Sequence, residues 1–557
     1  MRRLTLVTLG ASLGLLGCAE PEVRDDAART TWFVEVAAER GLHFEHRSGH
    51  DGEHHLLPEI TCGGAALFDA DDDGDLDAYL VQGGGPTHDA AQRPPNRFFI
   101  NEGGGYFRDD TEDSGAGHRG HGSGVACGDA DGDGSTDLFV TNVGPDVLLL
   151  NDGKGRFREA AGVDDDGYGT SAAFVDFDRD GDLDLFVVRY VDWRPEAERE
   201  CPGRLGGPDY CLPAVYDAPS SDLLWRNEGD GRYQDVSVTT GIARALGPGL
   251  GVVPSDVDGD GWVDLFVAND GQMDRLWSNR RGRSFVDVAL LLGVAVDEEG
   301  QAKAGMGVAA ADLDDDGDEE LLVVNLAAES DSLFLNEVAT KGVLRDVTPR
   351  SGLAGASRRS TRFGVGFADF DHDGWLDLFE ANGRVTRPPR LHGDDPYAED
   401  DLVLKGGEGP RFTLLDGRNG LAAPSPATSR AAAFGDVDDD GRVDVLVVDR
   451  DGPARLLLGS ASVSGDWHRF DLRDRQGRPA LDARLAVTVG ERTLHRVLRA
   501  AGSYQASSDP RIHVALGDGA VASDLLVSWP DGTQERFPPP SEVGDRVLRQ
   551  GSGRPVR

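Results

Sequence analysis

The feature that most constrains this chain is a nine-residue acidic segment that occurs seven times. Its first, third and fifth residues are Asp in every copy, its sixth is Gly, and its ninth is Asp in six copies and Glu320 in the fifth. Carboxylates this close together repel one another unless a cation lies among them. A solvated acidic turn would explain a single copy, but it would not keep the same positions fixed seven times. The copies are DADDDGDLD (69–77), DADGDGSTD (129–137), DFDRDGDLD (176–184), DVDGDGWVD (256–264), DLDDDGDEE (312–320), DFDHDGWLD (369–377) and DVDDDGRVD (436–444).

This spacing predicts a calcium site in each segment, which we call a metal loop. Ca²⁺ takes about six to eight oxygen ligands. Alternate residues can turn three carboxylates inward, the glycine permits a sharp turn, the seventh residue can contribute its backbone carbonyl, and the ninth carboxylate closes the shell. Mg²⁺ requires stricter octahedral geometry and retains water, so calcium is the predicted cofactor. The predicted ligands are Asp69, Asp71, Asp73, Asp75, Asp77, Asp129, Asp131, Asp133, Ser135, Asp137, Asp176, Asp178, Asp180, Asp182, Asp184, Asp256, Asp258, Asp260, Trp262, Asp264, Asp312, Asp314, Asp316, Asp318, Glu320, Asp369, Asp371, Asp373, Trp375, Asp377, Asp436, Asp438, Asp440, Arg442 and Asp444.

An EF-hand shares part of this pattern but is excluded by its remaining requirements. An EF-hand loop ends in a glutamate at position twelve and lies between two helices. Here position twelve is apolar in six copies, and only Glu380 fits. The flanking segments, such as LFVTN and LFVVR, are typical of short strands.

The units around the metal loops predict an all-β chain built as a seven-bladed β-propeller. The loops are 47 to 80 residues apart, and each is followed by apolar runs, a glycine turn and an aromatic residue, which is about four strands per unit. The seventh unit lacks its fourth strand, and WFVEVAAERGL (32–42) resembles the fourth strands of other units. That segment can complete the last blade and close the ring.

Specific segments resemble known repeat families. The units resemble FG-GAP (VCBS-type) repeats, and GSYQASSDPRIHVALGDG (502–519) with VSWPDGTQERF (527–537) resembles an ASPIC/UnbV domain, a small β domain. Together with YCLPAVY and FEANGRV they resemble the cartilage acidic protein-like family. The chain departs from that pattern at Asp482, where the domain usually has glycine, and at Glu320. The resemblance implies calcium-binding propeller repeats but transfers no catalytic mechanism.

The N-terminal segment predicts export. MRRLTLVTLGASLGLLGC has two arginines and a short apolar run before Cys18, and its end resembles a lipobox, which implies lipid attachment at Cys18. An ordinary signal peptide with a chance cysteine is the alternative. By resemblance to such lipoproteins, Ala19 after Cys18 implies an outer-membrane or cell-surface protein, with a secreted or periplasmic protein as the alternative. The predicted organisation is a signal peptide (1–18), a linker (19–31), the propeller (32–460) and the ASPIC/UnbV-like domain (465–550).

Four further cysteines suggest disulfides in an exported chain. Cys201 and Cys211 flank a short loop and are the favoured pair, and Cys62 with Cys127 is the weaker, leftover pairing. No C-x-x-C spacing suggests zinc or thioredoxin chemistry.

Charge and insertions indicate what the chain binds. There are 99 acidic against 56 basic residues, a net charge of −43, which excludes nucleic acid as a partner. Long insertions at 83–95, 192–221 and 383–402 each connect the second and third strands of a unit, so they should gather on the face away from the metal loops. Their basic and aromatic residues predict a ligand face for a sugar acid or acidic peptide, unless they only pack on each other. These are Trp193, Tyr210, Tyr216, Arg384, Arg387, Arg390, His392 and Tyr397.

The sequence therefore predicts an extracellular binding or adhesion module that contacts a protein or polysaccharide and meets the membrane only through a lipid. It contains no G-x-S-x-G, H-E-x-x-H or P-loop signature. An enzyme using the channel, with histidines such as His54, His55, His118 and His121, is one alternative. A purely structural envelope protein is the other.

Overall fold

The structure is a computed structural model that describes residues 31–556 except 164, 205, 230, 389–394, 416–419, 423–425 and 461–464. The predicted signal peptide, Cys18 and most of the linker therefore lie outside the described residues. In the part of the chain that is described, no helix has the length and apolar character needed to cross a membrane.

Up to residue 459 the described chain forms seven four-stranded antiparallel units, each with its metal loop between the first two strands. An extra pairing of Val143–Pro145 with Asp166–Tyr168 joins units 2 and 3. Strand β1 (Phe33–Glu35) belongs to unit 7, and β12 (Cys201–Pro202) with β13 (Pro208–Asp209) forms a separate hairpin between the second and third strands of unit 3. The other strands of units 1 to 7 in chain order are β2 (Ala65–Phe68), β3 (Asp77–Leu80), β4 (Arg97–Asn101), β5 (Phe107–Asp109); β6 (Gly122–Gly128), β7 (Asp137–Pro145), β8 (Val147–Asn151), β9 (Phe157–Ala160); β10 (Asp166–Val175), β11 (Asp184–Arg189), β14 (Leu223–Asn227), β15 (Tyr233–Asp235); β16 (Gly249–Ser255), β17 (Asp264–Asn269), β18 (Arg275–Asn279), β19 (Phe285–Asp287); β20 (Val308–Ala311), β21 (Glu320–Val323), β22 (Ser332–Glu337), β23 (Val343–Asp346); β24 (Arg362–Ala368), β25 (Asp377–Asn382), β26 (Leu402–Gly407), β27 (Arg411–Leu414); β28 (Ser429–Gly435), β29 (Asp444–Asp449) and β30 (Arg455–Gly459).

The units follow one another in a closed cycle. The first strand of each unit contacts the first strand of the next, and β28 of unit 7 contacts β2 of unit 1. Strand β1 pairs with β30 in the register Phe33 to Gly459, so the N-terminal segment supplies the missing outer strand of unit 7. This is the pairing that the sequence predicts, and it leaves the cycle without a break at the chain ends.

Helices in the described residues are single turns at strand ends. Four of them directly follow the fourth strand of a unit. They are α1 (Thr111–Ser114), α2 (Ser237–Thr240), α3 (Ala289–Leu292), α4 (Val338–Lys341), α5 (Thr348–Ser351) and α6 (Leu353–Ser357), with 3₁₀ turns at Leu57–Ile60, Ala90–Gln92, Pro195–Ala197, Pro213–Val215 and Ile242–Arg244.

Neighbouring units are held together by apolar layers. Between units 1 and 2, Phe68, Phe98, Leu138 and Phe157 are buried in one cluster. The Phe98 and Phe157 rings meet edge to face with their centroids 5.4 Å apart. Similar clusters lie between the other neighbouring units. This packing explains why continuous apolar runs such as LFVTN and LFVVR recur in each unit, since these strands are buried on both faces of their sheet.

One of the two predicted disulfides is present. Cys201 and Cys211 are bonded, across the β12–β13 hairpin in the insertion of unit 3. The pairing of Cys62 with Cys127 is wrong, because both are free, buried thiols. Strands β2 and β6 both run towards their metal loops, and Cys62 precedes the start of β2 whereas Cys127 lies near the end of β6. The two thiols therefore lie at opposite ends of neighbouring strands.

The C-terminal domain packs two sheets around its own core. A three-stranded sheet has the order β36–β31–β39 and a five-stranded sheet the order β33–β32–β37–β38–β40. Phe470, Leu485, Leu525 and Trp529 are buried between them. The strands are β31 (Trp467–Arg473), β32 (Arg484–Val489), β33 (Arg492–Val497), β34 (Ala501–Gly502), β35 (Ala506–Ser507), β36 (Ile512–Ala515), β37 (Ala522–Ser528), β38 (Gln534–Phe537), β39 (Gly544–Arg549) and β40 (Arg554–Pro555).

A hairpin of this domain, β34–β35, enters the centre of the cycle, and we call it the axial hairpin (500–509). Strand β35 pairs in parallel with β2. At its tip Ser503 and Val308 exchange two backbone hydrogen bonds of 2.7 and 3.0 Å, and the Ser503 hydroxyl donates to the Ala432 carbonyl. The tip reaches the first strands of every unit. The centre of the cycle is thus filled by the C-terminal domain, which the sequence did not indicate.

Tyr504 at the hairpin tip provides a test of this arrangement. Its fully buried hydroxyl donates to the Thr61 carbonyl at 3.1 Å, and its ring meets Phe363 edge to face. Tyr504→Ala should lower the free energy of unfolding by about 3–5 kcal/mol because it leaves a cavity. Tyr504→Phe should cost only about 1 kcal/mol, for the lost hydrogen bond. Urea unfolding measures both, with Tyr106→Ala as the exposed control. Equal, small effects of all three substitutions would contradict a packed axial hairpin.

Candidate metal sites

All seven metal loops adopt one backbone shape. The glycine at position six has a positive φ between 87° and 99° in every copy. The residue at position four is also left-handed in every copy, with φ between 55° and 76°, although it is Asp72, Gly132, Arg179, Gly259, Asp315, His372 and Asp439 in turn. Only glycine adopts the first of these conformations without strain, which explains why position six does not vary. The sequence did not indicate the left-handed residue at position four.

The same hydrogen bonds recur inside each loop. The carboxylate at position one accepts the N–H of the glycine at position six, as in Asp69 with Gly74 at 3.0 Å. The carboxylate at position five accepts the N–H of position seven, as in Asp73 with Asp75 at 2.9 Å. These bonds use the side chain of position five and only the backbone of position seven. The variable seventh side chain is therefore outside the conserved bonding scheme of the loops.

The carboxylate at position nine joins three strands in every unit. One oxygen of Asp77 accepts the N–H of Ala70 at 2.9 Å and the other accepts the N–H of Asn101 at 2.7 Å. Equivalent pairs of bonds form in the other six units, with Glu320 serving in unit 5. Position nine therefore links the start of the loop to the end of the third strand, in addition to facing the predicted ligands.

What remains in the loops is a set of buried carboxylate oxygens without hydrogen-bond partners. In the described residues these include one oxygen each of Asp69, Asp71, Asp176 and Asp178. In loops 1 to 3 a ligand atom from each of positions one, three and nine lies within 4.8 Å of the others, and in loops 4 and 5 the same holds for positions one, three and five. In each of these five loops the structure thus brings three of the predicted ligands together, and a hard cation with oxygen ligands fits that donor set.

Burial makes these carboxylates unfavourable as bare anions. Desolvation raises the pKa of Asp77 and Asp264 to about 8 and that of Asp184 to about 9. It raises the pKa of Asp69 to about 6. A cation bound among these carboxylates would offset the desolvation and favour their ionised form at neutral pH.

The C-terminal domain covers the metal-loop face through its arginines. Arg484 pairs with Asp256 at 2.8 Å and Arg492 with Asp315 at 2.6 Å. Arg469 pairs with Asp439 at 2.6 Å. In unit 6 a lysine of β26, Lys405, contacts Asp371 and lies 2.6 Å from Asp373. The loops therefore differ in the fixed cations around them, although their backbone geometry is the same.

In five units, one asparagine at the end of the third strand bonds to the preceding unit at this face. Asn227 at the end of β14 donates to Leu183 of its own loop at 3.1 Å and to Ala130 of the preceding loop at 2.8 Å. Units 1, 2, 4 and 5 use Asn101, Asn151, Asn279 and Asn336 in the same way towards the preceding loop. The recurring N after an apolar run, as in LLLN, was the available sequence signal.

Two of the three insertions meet on the opposite face. Asp209 in the insertion of unit 3 accepts the Tyr397 hydroxyl at 2.9 Å and the Arg387 N–H at 2.9 Å, both from the insertion of unit 6. The Tyr210 hydroxyl donates to Glu59 at 3.0 Å. Tyr210 and Tyr397 are buried, whereas the Arg387 side chain is 29% exposed.

The other predicted ligand-face residues are divided between buried and open positions. Trp193 is buried and its indole N–H donates to Glu198 at 2.7 Å, and Tyr216 donates to the same carboxylate. Arg384 pairs with Glu399 at 2.6 Å and is partly exposed. Arg390 and His392 lie outside the described residues.

The histidines of the alternative enzymatic interpretation lie apart. His54 is exposed and pairs with Asp51, whereas His121 is fully buried beneath the insertions, where desolvation lowers its pKa to about 3. His118 lies beside Glu159 at 3.2 Å. His55 packs against Tyr210, with ring centroids 4.9 Å apart. The structure therefore does not assemble these four into one site.

Comparison with known families matches both parts of the chain. The FG-GAP-like repeat model matches residues 129–187, 256–323 and 312–380. The ASPIC and UnbV model matches residues 473–552, which contain the axial hairpin. Among solved structures, the BP39L lectin of Burkholderia pseudomallei covers 73% of this chain and 98% of its own, with TM-score 0.42 and 13% identity. An Agrocybe aegerita lectin covers 70% and 86%, with TM-score 0.37 and 14% identity.

The chain is also similar to curated proteins named cartilage acidic protein 1. The human protein is 26% identical over 502 residues, which are 84% of this chain and 69% of that protein. The mouse protein is 26% identical over 355 residues, 61% of this chain and 50% of that protein. The Xenopus tropicalis protein is 26% identical over 312 residues, which are 54% and 44%. The matches thus span about half of the mouse and frog proteins.

The asparagine bridges predict a specific loss of stability. Asn227→Ala should lower the free energy of unfolding by about 1–3 kcal/mol, because two carbonyls at the unit boundary lose their donor. Thermal unfolding by circular dichroism measures the change. Gln234→Ala on the adjacent strand, where the side chain is exposed, should be nearly neutral. A neutral Asn227→Ala would show that the asparagines do not tie neighbouring units together.

Proposed function

We propose that this chain, which carries FG-GAP-like repeats and an ASPIC and UnbV domain, is an exported calcium-binding module built on a seven-bladed β-propeller. The observation that carries the proposal is the set of metal loops. Seven loops share one backbone shape and one hydrogen-bond scheme. In several of the described loops that scheme leaves carboxylate oxygens without partners, such as one oxygen each of Asp69, Asp71, Asp176 and Asp178.

Calcium is the cofactor that the donor set favours. The carboxylates at positions one, three, five and nine would hold it, together with the carbonyl of position seven. When bound, the ion supplies two positive charges to a buried group of carboxylates. Position nine would then be fixed both by the cation and by its two backbone bonds, as for Asp77. The loops therefore serve as rigid joints between the first and second strands rather than as a catalytic centre.

Recognition is assigned to the face opposite the metal loops. That face carries the insertions of units 3 and 6, which meet at Asp209 and leave Arg384 and Arg387 partly exposed. Binding residues are concentrated on loops that a rigid scaffold holds in place. The partner class is an extracellular protein or polysaccharide, with a sugar acid or an acidic peptide as the recognised group.

Export is supported by the N-terminal segment and by the disulfide. Cys201 and Cys211 are bonded, and disulfides persist in oxidising compartments. Cys18 in LLGC is the proposed site of lipid attachment, so the module would be held at an outer membrane or cell surface. A secreted or periplasmic protein is the alternative location.

An enzyme is the second candidate, and its best location is also the opposite face. The axial hairpin occupies the centre of the cycle in the described structure, so the channel is not the favoured place for a substrate. On the opposite face His50 lies 3.0 Å from the buried carboxylate of Glu59, which also accepts the Tyr210 hydroxyl. Such a pair could move a proton. A purely structural envelope protein would need neither this pair nor a ligand.

Removal of calcium should destabilise the protein strongly. A site at a hundredfold excess of free ion over its Kd contributes about 2.7 kcal/mol, and seven sites act on one fold. In metal-free protein, carboxyl groups with a raised pKa, such as Asp77 at about 8, lower the free energy of unfolding when they ionise. Thermal unfolding should therefore show a lower Tm without calcium, which rises as the pH falls below about 8. An unchanged Tm in excess EGTA would contradict the calcium sites.

A matched pair of substitutions in loop 3 tests the ligand assignment. Asp178→Ala removes a position-three carboxylate with an unpartnered oxygen and should reduce bound calcium by one ion per chain. Asp182→Ala at position seven removes a side chain outside the conserved bonding scheme and should leave the count unchanged. Native mass spectrometry with calcium gives the count. Equal counts for the two variants would show that position three does not ligate.

Binding should depend on the opposite face. The soluble protein without its N-terminal segment should bind members of an array of envelope and matrix polysaccharides and proteins in calcium but not in EGTA. Arg387→Ala should weaken such binding about tenfold, as expected for loss of one charged hydrogen-bonding group. Arg536→Ala on the C-terminal domain is the matched exposed control. Binding that is equally lost in both variants would argue against a specific ligand face.

A further inference from the structure

Unit 6 carries a lysine where five of the other six units have an apolar residue or a serine. In every unit the position-nine carboxylate accepts the N–H of one third-strand residue, which is Asn101 in unit 1 and Gly406 in unit 6. The residues that precede it in units 1 to 7 are Ile100, Leu150, Arg226, Ser278, Leu335, Lys405 and Leu458. Only Lys405 and Arg226 in this series are basic.

The ammonium of Lys405 lies among the predicted calcium ligands of its own loop. It contacts Asp371 at position three, and it lies 2.6 Å from Oδ2 of Asp373 at position five. These are two of the carboxylates that the proposed function assigns to calcium. A lysine side chain is charged at neutral pH, so Lys405 already supplies one positive charge to this pair.

Arg226, the counterpart in unit 3, pairs with a different carboxylate. Its Nε donates to Glu228 at 2.8 Å, and Gly407 stands in the place of Glu228 in unit 6. Among the described residues, no lysine or arginine lies within 4 Å of Asp178 or Asp180, the position-three and position-five carboxylates of loop 3. Loops 3 and 6 therefore share a backbone shape but differ in what calcium meets at these two positions.

We propose that Lys405 competes with calcium in loop 6, so that this loop fills at a higher calcium concentration than loop 3. The inference rests on the proposed calcium function. To be held by Asp371 and Asp373 together, the ion must displace the ammonium, because two cations in contact with the same carboxylates repel each other. At low calcium the ammonium stays in place and unit 6 keeps a cation of its own.

Lys405 can leave these carboxylates without disturbing its strand. Its side chain is 37% exposed, so solvent is within reach. Its Nζ also lies 5.7 Å from the ring centroid of Trp32. The face of a tryptophan ring attracts an ammonium. Both water and this ring are therefore available to Lys405 when calcium takes Asp371 and Asp373.

The test counts bound calcium by native mass spectrometry as buffered free calcium is raised. Lys405→Met removes the charge and should move one binding step to a calcium concentration at least about tenfold lower, because the ion no longer displaces a hydrogen bond between charged groups. Arg226→Met is the matched control in unit 3 and should move no step. Identical steps in Lys405→Met and the unsubstituted protein would overturn the proposal and leave the calcium function intact. No bound ion in any of the proteins would overturn the calcium function itself, and the proposal with it.

Thermal unfolding separates competition from a merely structural role of Lys405. In EGTA, Lys405→Met should lower the Tm, because Asp371 and Asp373 lose their only cation. In saturating calcium the two proteins should have the same Tm. A Tm that falls equally in both solutions would show that Lys405 stabilises the fold regardless of the ion, and would overturn the proposal.

A crystal structure in saturating calcium checks the displacement directly. The Nζ atom of Lys405 should lie outside hydrogen-bond distance of Asp371 and Asp373, with the ion between these carboxylates. An ammonium that still bonds to both of them beside a bound ion would overturn the competition.

Discussion

The interaction on which the rest of the structure depends is the carboxylate at position nine of each metal loop. Its two oxygens accept backbone N–H groups from the start of the loop and from the end of the third strand, as Asp77 does with Ala70 and Asn101. It thereby sets the spacing of three strands in every unit. Burial raises its pKa to about 8 in units 1 and 4. A cation bound nearby, as we propose, would favour the ionised form of the same residue that orders the sheet.

The C-terminal domain is part of the same construction and not a separate appendage. Its axial hairpin hydrogen-bonds inside the cycle, for example through Ser503 and Val308. Its arginines pair with loop aspartates such as Asp256 and Asp315. Filling the centre and covering one face leaves the opposite face, with the insertions of units 3 and 6, as the open surface. In the proposed function, the covered end provides rigidity and the open end is the surface for recognition.

The sequence predicted what local spacing determines. It identified the seven loops, the four-strand units, the completion of unit 7 by 32–42 and the bond between Cys201 and Cys211. It did not reveal the docking of the C-terminal domain, because the contacts of Arg484 or Ser503 join residues hundreds of positions apart and leave no periodic pattern. It paired Cys62 with Cys127 by elimination, and strand direction separates them. It offered Tyr210 and Tyr397 as residues of a ligand face, with packing of the insertions on each other as the alternative, and for these two rings the structure shows the packing.

The central claim is that the crowded carboxylates are cation ligands, and a crystal structure grown in calcium tests it most directly. With data collected at a wavelength where calcium scatters anomalously, the account predicts a peak in each loop between the carboxylates of positions one and three, with the carbonyl of position seven in the same shell. Loops without anomalous density, in which arginine or lysine side chains alone neutralise the aspartates, would contradict it.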